Sequence, residues 1–289
     1  MLFITPEKMK TQERNNIMKQ RIITGVLLIL LLVTLLCLPG WGMAIATLVC
    51  IGFATWEEYH ALMLAGHRVV SWPAWVVLIG SVPLTKFFGT RMIVPLMTIA
   101  LLMMVIQILF RAEPELTDLA MSALPILTVA LPGLSLVALS LVDQKAVEVV
   151  LVALTFAVPL VGDTFALFVG SAVGGKKLCP AVSPHKTISG SVGGMAGSML
   201  AAIVVYLIAT WTCNETTLAR LPSFAAYLWL GFFGGIVGQI GDLFASLVKR
   251  HSGIKDFSNL FPGHGGMLDR LDSVLFMAVL VYCYRAFMI

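Results

Sequence analysis

Long apolar runs separated by short polar loops cover nearly the whole chain. Runs of about 17–25 residues can cross a bilayer as helices. They predict about nine transmembrane helices, near residues 22–40, 41–64, 72–88, 92–110, 119–142, 146–171, 191–212, 223–248 and 272–289. Glu57, Glu58 and His60 interrupt the second run, so its apolar part is expected to end near Trp56, with the helix continuing amphipathically along the surface. The pattern predicts an all-α, polytopic integral membrane protein.

Composition supports this class and narrows the partners. The chain is 59% hydrophobic and 12% charged, with a mean hydropathy of +0.96, which is more apolar sequence than a soluble core requires. The net charge of +4 suits a face that lies against anionic lipid. It is too diffuse to indicate nucleic acid as a partner. The lipid bilayer is therefore the predicted surrounding.

Basic residues predict the orientation. If residues 1–21 form a cytoplasmic tail, most of the 19 Lys and Arg residues fall on cytoplasmic loops, as the positive-inside rule requires. Residues 22–145 then form amino-terminal transmembrane helices with no evident chemistry, facing lipid or a dimer partner. Residues 146–289 form a second transmembrane region whose spans and cytoplasmic loops carry polar motifs.

The stretch from Ser246 to Asp272 is the most polar part of the chain. It contains Lys249, Arg250, His251, Lys255, Asp256, His264, Asp269, Arg270 and Asp272. Ionisable residues beside a bilayer indicate function by default. Cations next to carboxylates, with Gly265 and Gly266 between them, suit phosphates and a divalent metal. A loop that is basic only to fix topology would explain the Lys and Arg residues but not the carboxylates and the His-Gly-Gly turn.

Helical periodicity places several of these groups on one face. At 100° per residue, an arc of about 80° contains Gln239, Asp242, Ser246, Lys249 and Arg250. A polar stripe at the end of an apolar span indicates a hydrophilic cavity. Asp269 and Asp272 open the next span, so Asp242 and Asp269 close neighbouring spans on the same side and can be paired around Mg²⁺.

Two further motifs lie upstream. Asp163 stands inside an apolar span after Pro159, which frees a backbone carbonyl nearby; a helix-packing hydrogen bond is the alternative role for this Asp. The block from Ser183 to Gly190 leads into a helix start, where hydroxyls, the Lys186 ammonium and free N–H groups can bind phosphate. A capped helix after a turn would give a similar pattern.

Together these motifs resemble the bacterial phosphatidate cytidylyltransferases, or CDP-diacylglycerol synthases. The family signature S-x-x-K-R-x4-K-D-x5-P-x-H-G-G-x-x-D-R-x-D is matched by Ser246, Lys249, Arg250, Lys255, Asp256, Pro262, His264, Gly265, Gly266, Asp269, Arg270 and Asp272. An upstream S-P-x-K-T-x-x-G block is matched by Ser183, Pro184, Lys186, Thr187 and Gly190. The family usually has Glu where this chain has Ser189, which puts any catalytic role of that Glu in doubt. The resemblance covers residues 155–289 by motif.

The resemblance implies that CTP and phosphatidate react to CDP-diacylglycerol and diphosphate with Mg²⁺, a second cation being left open. It implies a bacterial inner-membrane enzyme whose site faces the cytoplasm; a homodimer stays open. The predicted catalytic residues are Lys255, Asp256 and His264 of the signature, together with the intramembrane Asp163. The carboxylate chemistry predicts Asp242, Asp269 and Asp272 as metal ligands. The implied substrate-binding residues are Ser183, Lys186, Thr187, Ser246, Lys249, Arg250, Gly265, Gly266 and Arg270.

Two alternative functions remain at this point. A transporter with a cytoplasm-facing cavity would also use helices broken by Gly and Pro around an intramembrane Asp, although the polar residues here cluster at one membrane face. A CTP-dependent lipid kinase or a CDP-archaeol synthase would keep the nucleotide chemistry and change the acceptor.

Overall fold

The protein is described by a computed structural model that covers residues 24–27, 30, 33–34, 36–38, 40–88 and 93–288. The predicted tail 1–21 lies outside the described residues. The predicted first span, 22–40, is described only in pieces, and those pieces are largely helical.

Helices make up most of the fold. Their bounds are Gly40–Leu64 (α1), Trp72–Phe88 (α2), Ile93–Leu109 (α3), Leu116–Ser140 (α4), Lys145–Val173 (α5), Ile188–Thr212 (α6), Glu215–Leu218 (α7), Phe224–His251 (α8) and Leu268–Met288 (α9). Each predicted span from the second onward coincides with one of them to within about one helical turn. Five helices (α1, α4, α5, α6 and α8) are long and apolar enough to cross a membrane. The chain is a multi-pass membrane protein, and the count of nine spans stays a prediction.

A short hairpin corrects the prediction of a purely α fold. Strands Lys177–Cys179 (β1) and Ser183–Thr187 (β2) pair antiparallel between α5 and α6, with Lys177 opposite Thr187. The Thr187 hydroxyl then accepts a hydrogen bond from the Gly190 backbone N–H at 3.1 Å and caps the start of α6. The predicted phosphate-binding block is therefore a strand that runs directly into a capped helix.

The predicted surface course of the helix after Trp56 is wrong. Helix α1 continues unbroken to Leu64, and Glu57 and Glu58 are each only 1% exposed. Glu58 accepts hydrogen bonds at 2.8–3.0 Å from the Thr128 hydroxyl, within a π-helical segment of α4, Ile126–Ala130. These carboxylates are buried because other elements supply their donors, which hydropathy cannot reveal.

Small residues let the helices of the second half approach closely. A Cβ on Gly231 of α8 would lie 2.9 Å from the Cα of Met199 in α6, and one on Gly241 would lie 2.5 Å from the backbone oxygen of Asp272 in α9. Close backbone approach of this kind is a common mode of helix association in membranes. It brings the carboxyl-terminal half of α8 against the start of α9.

The Gly231 contact makes a stability prediction. Replacing Gly231 by Ala forces a methyl group onto the α6 backbone, which should lower the free energy of unfolding by about 1–3 kcal/mol. The matched control is Gly80→Ala in α2, where a Cβ would meet side-chain atoms only at 3.7 Å or beyond. This substitution should be neutral or slightly stabilising. Thermal unfolding in detergent measures both. Equal midpoints for the two variants would contradict this account of the α6–α8 interface.

Candidate active site

Two cavities meet at the start of α9. The larger has a volume of about 570 Å³ and lies between α5, the hairpin, α6, α8 and α9. Its polar lining comprises Asp163, Ser171, Lys177, His185, Lys186, Thr187, Ser191, Gln239, Asp242, Asp269, Arg270 and Asp272, and the glycines Gly170, Gly174, Gly175 and Gly190 complete much of the wall. We call it the polar cavity.

The smaller cavity is mostly apolar and has a volume of about 320 Å³. We call it the apolar cavity; its lining includes Ile51, Leu136, Phe156, Pro159, Leu160, Phe261, His264, Met267 and Val274. Four residues line both cavities: Asp163, Asp269, Arg270 and Asp272. Ionisable groups therefore stand at the boundary between a polar space and an apolar one.

Three carboxylates from three helices lie at this boundary or beside it in the polar cavity. Asp163 comes from α5, Asp242 from α8 and Asp272 from α9, and each interacts electrostatically with the other two. Asp163 is exposed to the cavity and has no hydrogen-bond partner among the described residues. The polar stripe predicted on α8 thus contributes Gln239 and Asp242 to the cavity wall.

Lys186 and Arg270 lie beside these carboxylates. Lys186, on strand β2, forms an ion pair with Asp242, and the two side chains are 27% and 25% exposed. Arg270 is exposed and lies where the two cavities join. A carboxylate cluster with a lysine and an arginine beside it can bind both a divalent cation and phosphate groups.

Asp269 lies deeper than the other carboxylates, with a side chain only 3% exposed. Its Oδ1 accepts a hydrogen bond from Lys249 Nζ at 2.6 Å, and its Oδ2 accepts from the backbone N–H groups of Phe257 and Gly266, both at 2.9 Å. Lys249 also lies over the Phe257 ring, 5.4 Å from its centroid. The Asp269 carboxylate therefore closes the loop between α8 and α9, and Lys249 points at this carboxylate.

The His-Gly-Gly turn has a steric reason. Gly265 has a φ of +81° and a Cβ there would lie 2.8 Å from Asp269 Oδ2; one on Gly266 would lie 2.5 Å from Glu57 Oε1. Both glycines leave room for carboxylates that hold the turn. Sequence reasoning missed Glu57 as part of this region, although an acidic residue inside an apolar helix was the available signal.

Several predicted site residues lie away from both cavities. Lys255 and Asp256 are exposed on the loop after α8. Arg250 donates to the Val182 backbone oxygen at 3.4 Å, and Ser183 and Ser246 line neither cavity. Their predicted roles stay predictions.

Ser189, at the position where the resembled family usually has Glu, serves local structure. Its hydroxyl donates to the Gly174 backbone oxygen, and its Oγ lies 3.1 Å from the Thr187 hydroxyl oxygen. It ties the start of α6 to the turn after α5, and it contributes no charge to the cavity.

The donor chemistry of the polar cavity fits a hard divalent cation, because Mg²⁺ prefers carboxylate oxygens. Among the described residues, with their side chains in these positions, no group of three or more His, Cys, Asp or Glu residues lies close enough together to hold a metal ion. Lys186 is bound to Asp242 in this arrangement, and a cation beside Asp242 would compete with this ammonium.

Comparisons with known proteins identify the family of this chain. The sequence matches the profile of the Cytidylyltransferase family over residues 19–288. It is 32% identical over 274 residues to a phosphatidate cytidylyltransferase of Brucella abortus, a match that covers 93% of each chain. It is 41% identical to the Bacillus subtilis phosphatidate cytidylyltransferase over 121 residues, 42% of this chain and 41% of that protein.

A membrane-embedded nucleotidyltransferase is the class of protein that this fold, this site and these matches define. The chain belongs to the cytidylyltransferase family, and the resemblance predicted from the motifs is confirmed. The family match also extends through the amino-terminal half, which the motifs had not covered.

The Lys249–Asp269 contact predicts a structural role for this lysine. Lys249→Met leaves a buried carboxylate without its ammonium, which should lower the free energy of unfolding by roughly 3 kcal/mol. The matched control is Arg250→Met, the exposed neighbour on α8, which should change it by less than about 0.5 kcal/mol. Denaturant unfolding in detergent micelles measures both. Similar small changes in the two variants would refute the structural role.

Proposed function

We propose that the protein is a phosphatidate cytidylyltransferase, which transfers the cytidylyl group of CTP to phosphatidate and releases diphosphate. The observation that carries this proposal is the junction of a polar and an apolar cavity at Asp163, Arg270 and Asp272. A nucleotide polyphosphate suits the polar space and a lipid suits the apolar one. The names of the relatives agree with the activity that the motifs predicted.

The chemistry requires little from a general base. A phosphate oxygen of phosphatidate forms a bond to the α-phosphorus of CTP, and the bond from that phosphorus to the bridging oxygen of the β-phosphate breaks. The attacking phosphate is already ionised at neutral pH. The protein must therefore bring two polyanions together in line and neutralise their charge.

Lys186 and Arg270 are two cations placed for this task. Lys186 reaches the polar cavity from β2, and Arg270 stands at the junction with the apolar cavity. We assign Lys186 to the CTP phosphates; on binding them it would give up its ion pair with Asp242. We assign Arg270 to the lipid phosphate. The glycines along the wall allow phosphate oxygens to approach the backbone closely.

We assign Mg²⁺ to Asp163, Asp242 and Asp272. A divalent cation held by these carboxylates would supply positive charge to offset the negative charge that develops on the leaving diphosphate. Asp269 was also predicted as a metal ligand, but both of its oxygens already accept hydrogen bonds. We therefore propose that Asp269 stabilises the α8–α9 loop rather than binding the metal ion.

We further propose nine spans with the site facing the cytoplasm of a bacterial inner membrane. The positive-inside distribution of Lys and Arg supports this orientation. Lys176, Lys177, Lys186, Lys249 and Arg250 all belong to the end of the bundle that carries the polar cavity or to the loops beside it. CTP is a cytoplasmic metabolite, so this side also provides the substrate.

An assay of the purified protein with phosphatidate, Mg²⁺ and radiolabelled CTP tests the activity. Label at the α-phosphate should appear in the lipid product, whereas label at the γ-phosphate should appear only in released diphosphate. A chelator should stop the reaction and added Mg²⁺ should restore it. Lipid carrying the γ-label would indicate a kinase instead, and a preference for ether-linked isoprenoid acceptors would indicate a CDP-archaeol synthase. No transfer to lipid would refute the proposal.

The carboxylate assignment predicts a large loss of rate. Asp163→Asn and Asp242→Asn should each reduce kcat/KM at least about a hundredfold, because about 2.7 kcal/mol of transition-state stabilisation is lost with a metal ligand. The matched control is Asp143→Asn, an exposed carboxylate just before the opposite end of α5, which should stay within about twofold of wild type. Activity of either cavity variant within a few-fold of wild type, at saturating Mg²⁺, would remove that residue from the metal site.

A further inference from the structure

Glu57 connects the amino-terminal half of the chain to the loop before α9. Its Oε1 accepts hydrogen bonds from the Ser258 hydroxyl at 2.6 Å and from the Met267 backbone N–H at 2.9 Å, and its Oε2 accepts from the Leu268 backbone N–H at 2.7 Å. The residue is 1% exposed. A buried carboxylate with three donors is well satisfied, and the donors lose their partner if it is removed.

Two of these donors belong to the start of α9. The first N–H groups of a helix have no partner within the helix, and Glu57 binds those of Met267 and Leu268 across 210 and 211 positions of sequence. A negative charge at this end is also favoured by the helix dipole. The helix is thus capped by a side chain from α1 rather than from its own preceding residues.

The first turn of α9 carries the groups that face both cavities. Asp269, Arg270 and Asp272 follow Leu268 directly, so the position and rotation of the helix start determine where their side chains point. Gly266 leaves the space that the Glu57 carboxylate occupies, since a Cβ there would lie 2.5–2.6 Å from both of its oxygens. The contact therefore fixes the distance between α1 and the start of α9.

We propose that Glu57 is a positioning residue for the transfer reaction: by holding Ser258, Met267 and Leu268, it places Arg270 and Asp272 at the junction of the two cavities. The inference rests on the proposed function for its catalytic part, and on the hydrogen bonds alone for its structural part. It gives the amino-terminal half, which carries no signature motif, a direct part in the site.

The chemistry of the side chain makes the proposal specific. All three contacts need an acceptor, and a Gln in place of Glu57 would present an NH₂ group to at least one N–H or O–H donor. Asp keeps the acceptors but is one methylene shorter, so it cannot reach all three donors. Glu58, its neighbour, is equally buried, but among the described residues it accepts hydrogen bonds only from the Thr128 hydroxyl. This hydroxyl can also donate to a Gln oxygen.

The experiment compares Glu57→Gln with the matched control Glu58→Gln and with Glu57→Asp, each purified as the full chain in detergent. Three readouts are taken: the thermal midpoint, kcat and KM for CTP, and hydrogen–deuterium exchange of the peptide that contains Met267 and Leu268. Glu57→Gln should raise exchange in this peptide and lower kcat at least about tenfold per folded molecule, or about 1.4 kcal/mol. KM for CTP should change less than about threefold, because Lys186, which is assigned to the CTP phosphates, lies on β2 and not on the helix start that Glu57 holds.

Glu58→Gln should leave exchange in this peptide unchanged and kcat within about twofold of wild type, and Glu57→Asp should give an intermediate kcat. Equal kcat losses in Glu57→Gln and Glu58→Gln, or a loss that only follows the unfolded fraction, would overturn the proposal. If Glu57→Gln does not fold, Ser258→Ala is the deciding variant, because it removes one donor and leaves the Glu57 carboxylate bound to the other two. Raised exchange together with a several-fold lower kcat would support the proposal. No change in exchange or in kcat would overturn it.

The exchange readout separates this proposal from the proposed function. If wild-type protein makes no CDP-diacylglycerol, the activity assignment fails, while raised exchange at Met267 and Leu268 in Glu57→Gln alone still supports the structural link. If wild type is active and exchange does not change, the link fails and the function stands.

Discussion

A carboxylate inside an apolar helical bundle must be given donors, and the start of α9 is built around two such carboxylates. Asp269 takes hydrogen bonds from Lys249 and from two backbone N–H groups, and Glu57 takes three more. The loop between α8 and α9 must fold so that its N–H groups point at these oxygens. The glycines of the His-Gly-Gly turn follow from the same need, since side chains at Gly265 or Gly266 would overlap the carboxylates.

The polar and apolar cavities depend on this arrangement. Once the start of α9 is held against α1 and α8, Arg270 and Asp272 stand between an apolar space bounded by α1, α4 and α5 and a polar space bounded by α5, α6 and α8. Charged groups at such a boundary keep contact with water on one side. The bundle can therefore carry ionised groups within reach of lipid without burying them all in hydrocarbon.

The sequence predicts the helices well because hydropathy is a property of contiguous residues, as the match between 146–171 and Lys145–Val173 illustrates. It also predicts Asp242 and Gln239 on a cavity, because a polar stripe on an apolar helix would be costly to expose to lipid. The role of Glu57 could not be predicted in this way, since its hydrogen-bond donors lie more than 200 positions away in the sequence. The β-hairpin could not be predicted either, because two strands this short show too little alternation of apolar and polar residues. The motifs predict functional roles for Lys249 and Asp269, but they do not predict the contact between the two, which depends on three-dimensional distance.

The hairpin has a mechanical consequence for the cation that it carries. Lys186 lies on β2, whereas Asp242 and Arg270 lie on helices packed against several neighbours. A two-stranded ribbon has little stability of its own compared with a packed helix. The ammonium can therefore be withdrawn from Asp242 by a small displacement of a ribbon, without repacking the bundle. The packed helices of the wall therefore hold the carboxylates, whereas the two-stranded ribbon holds the ammonium that pairs with Asp242.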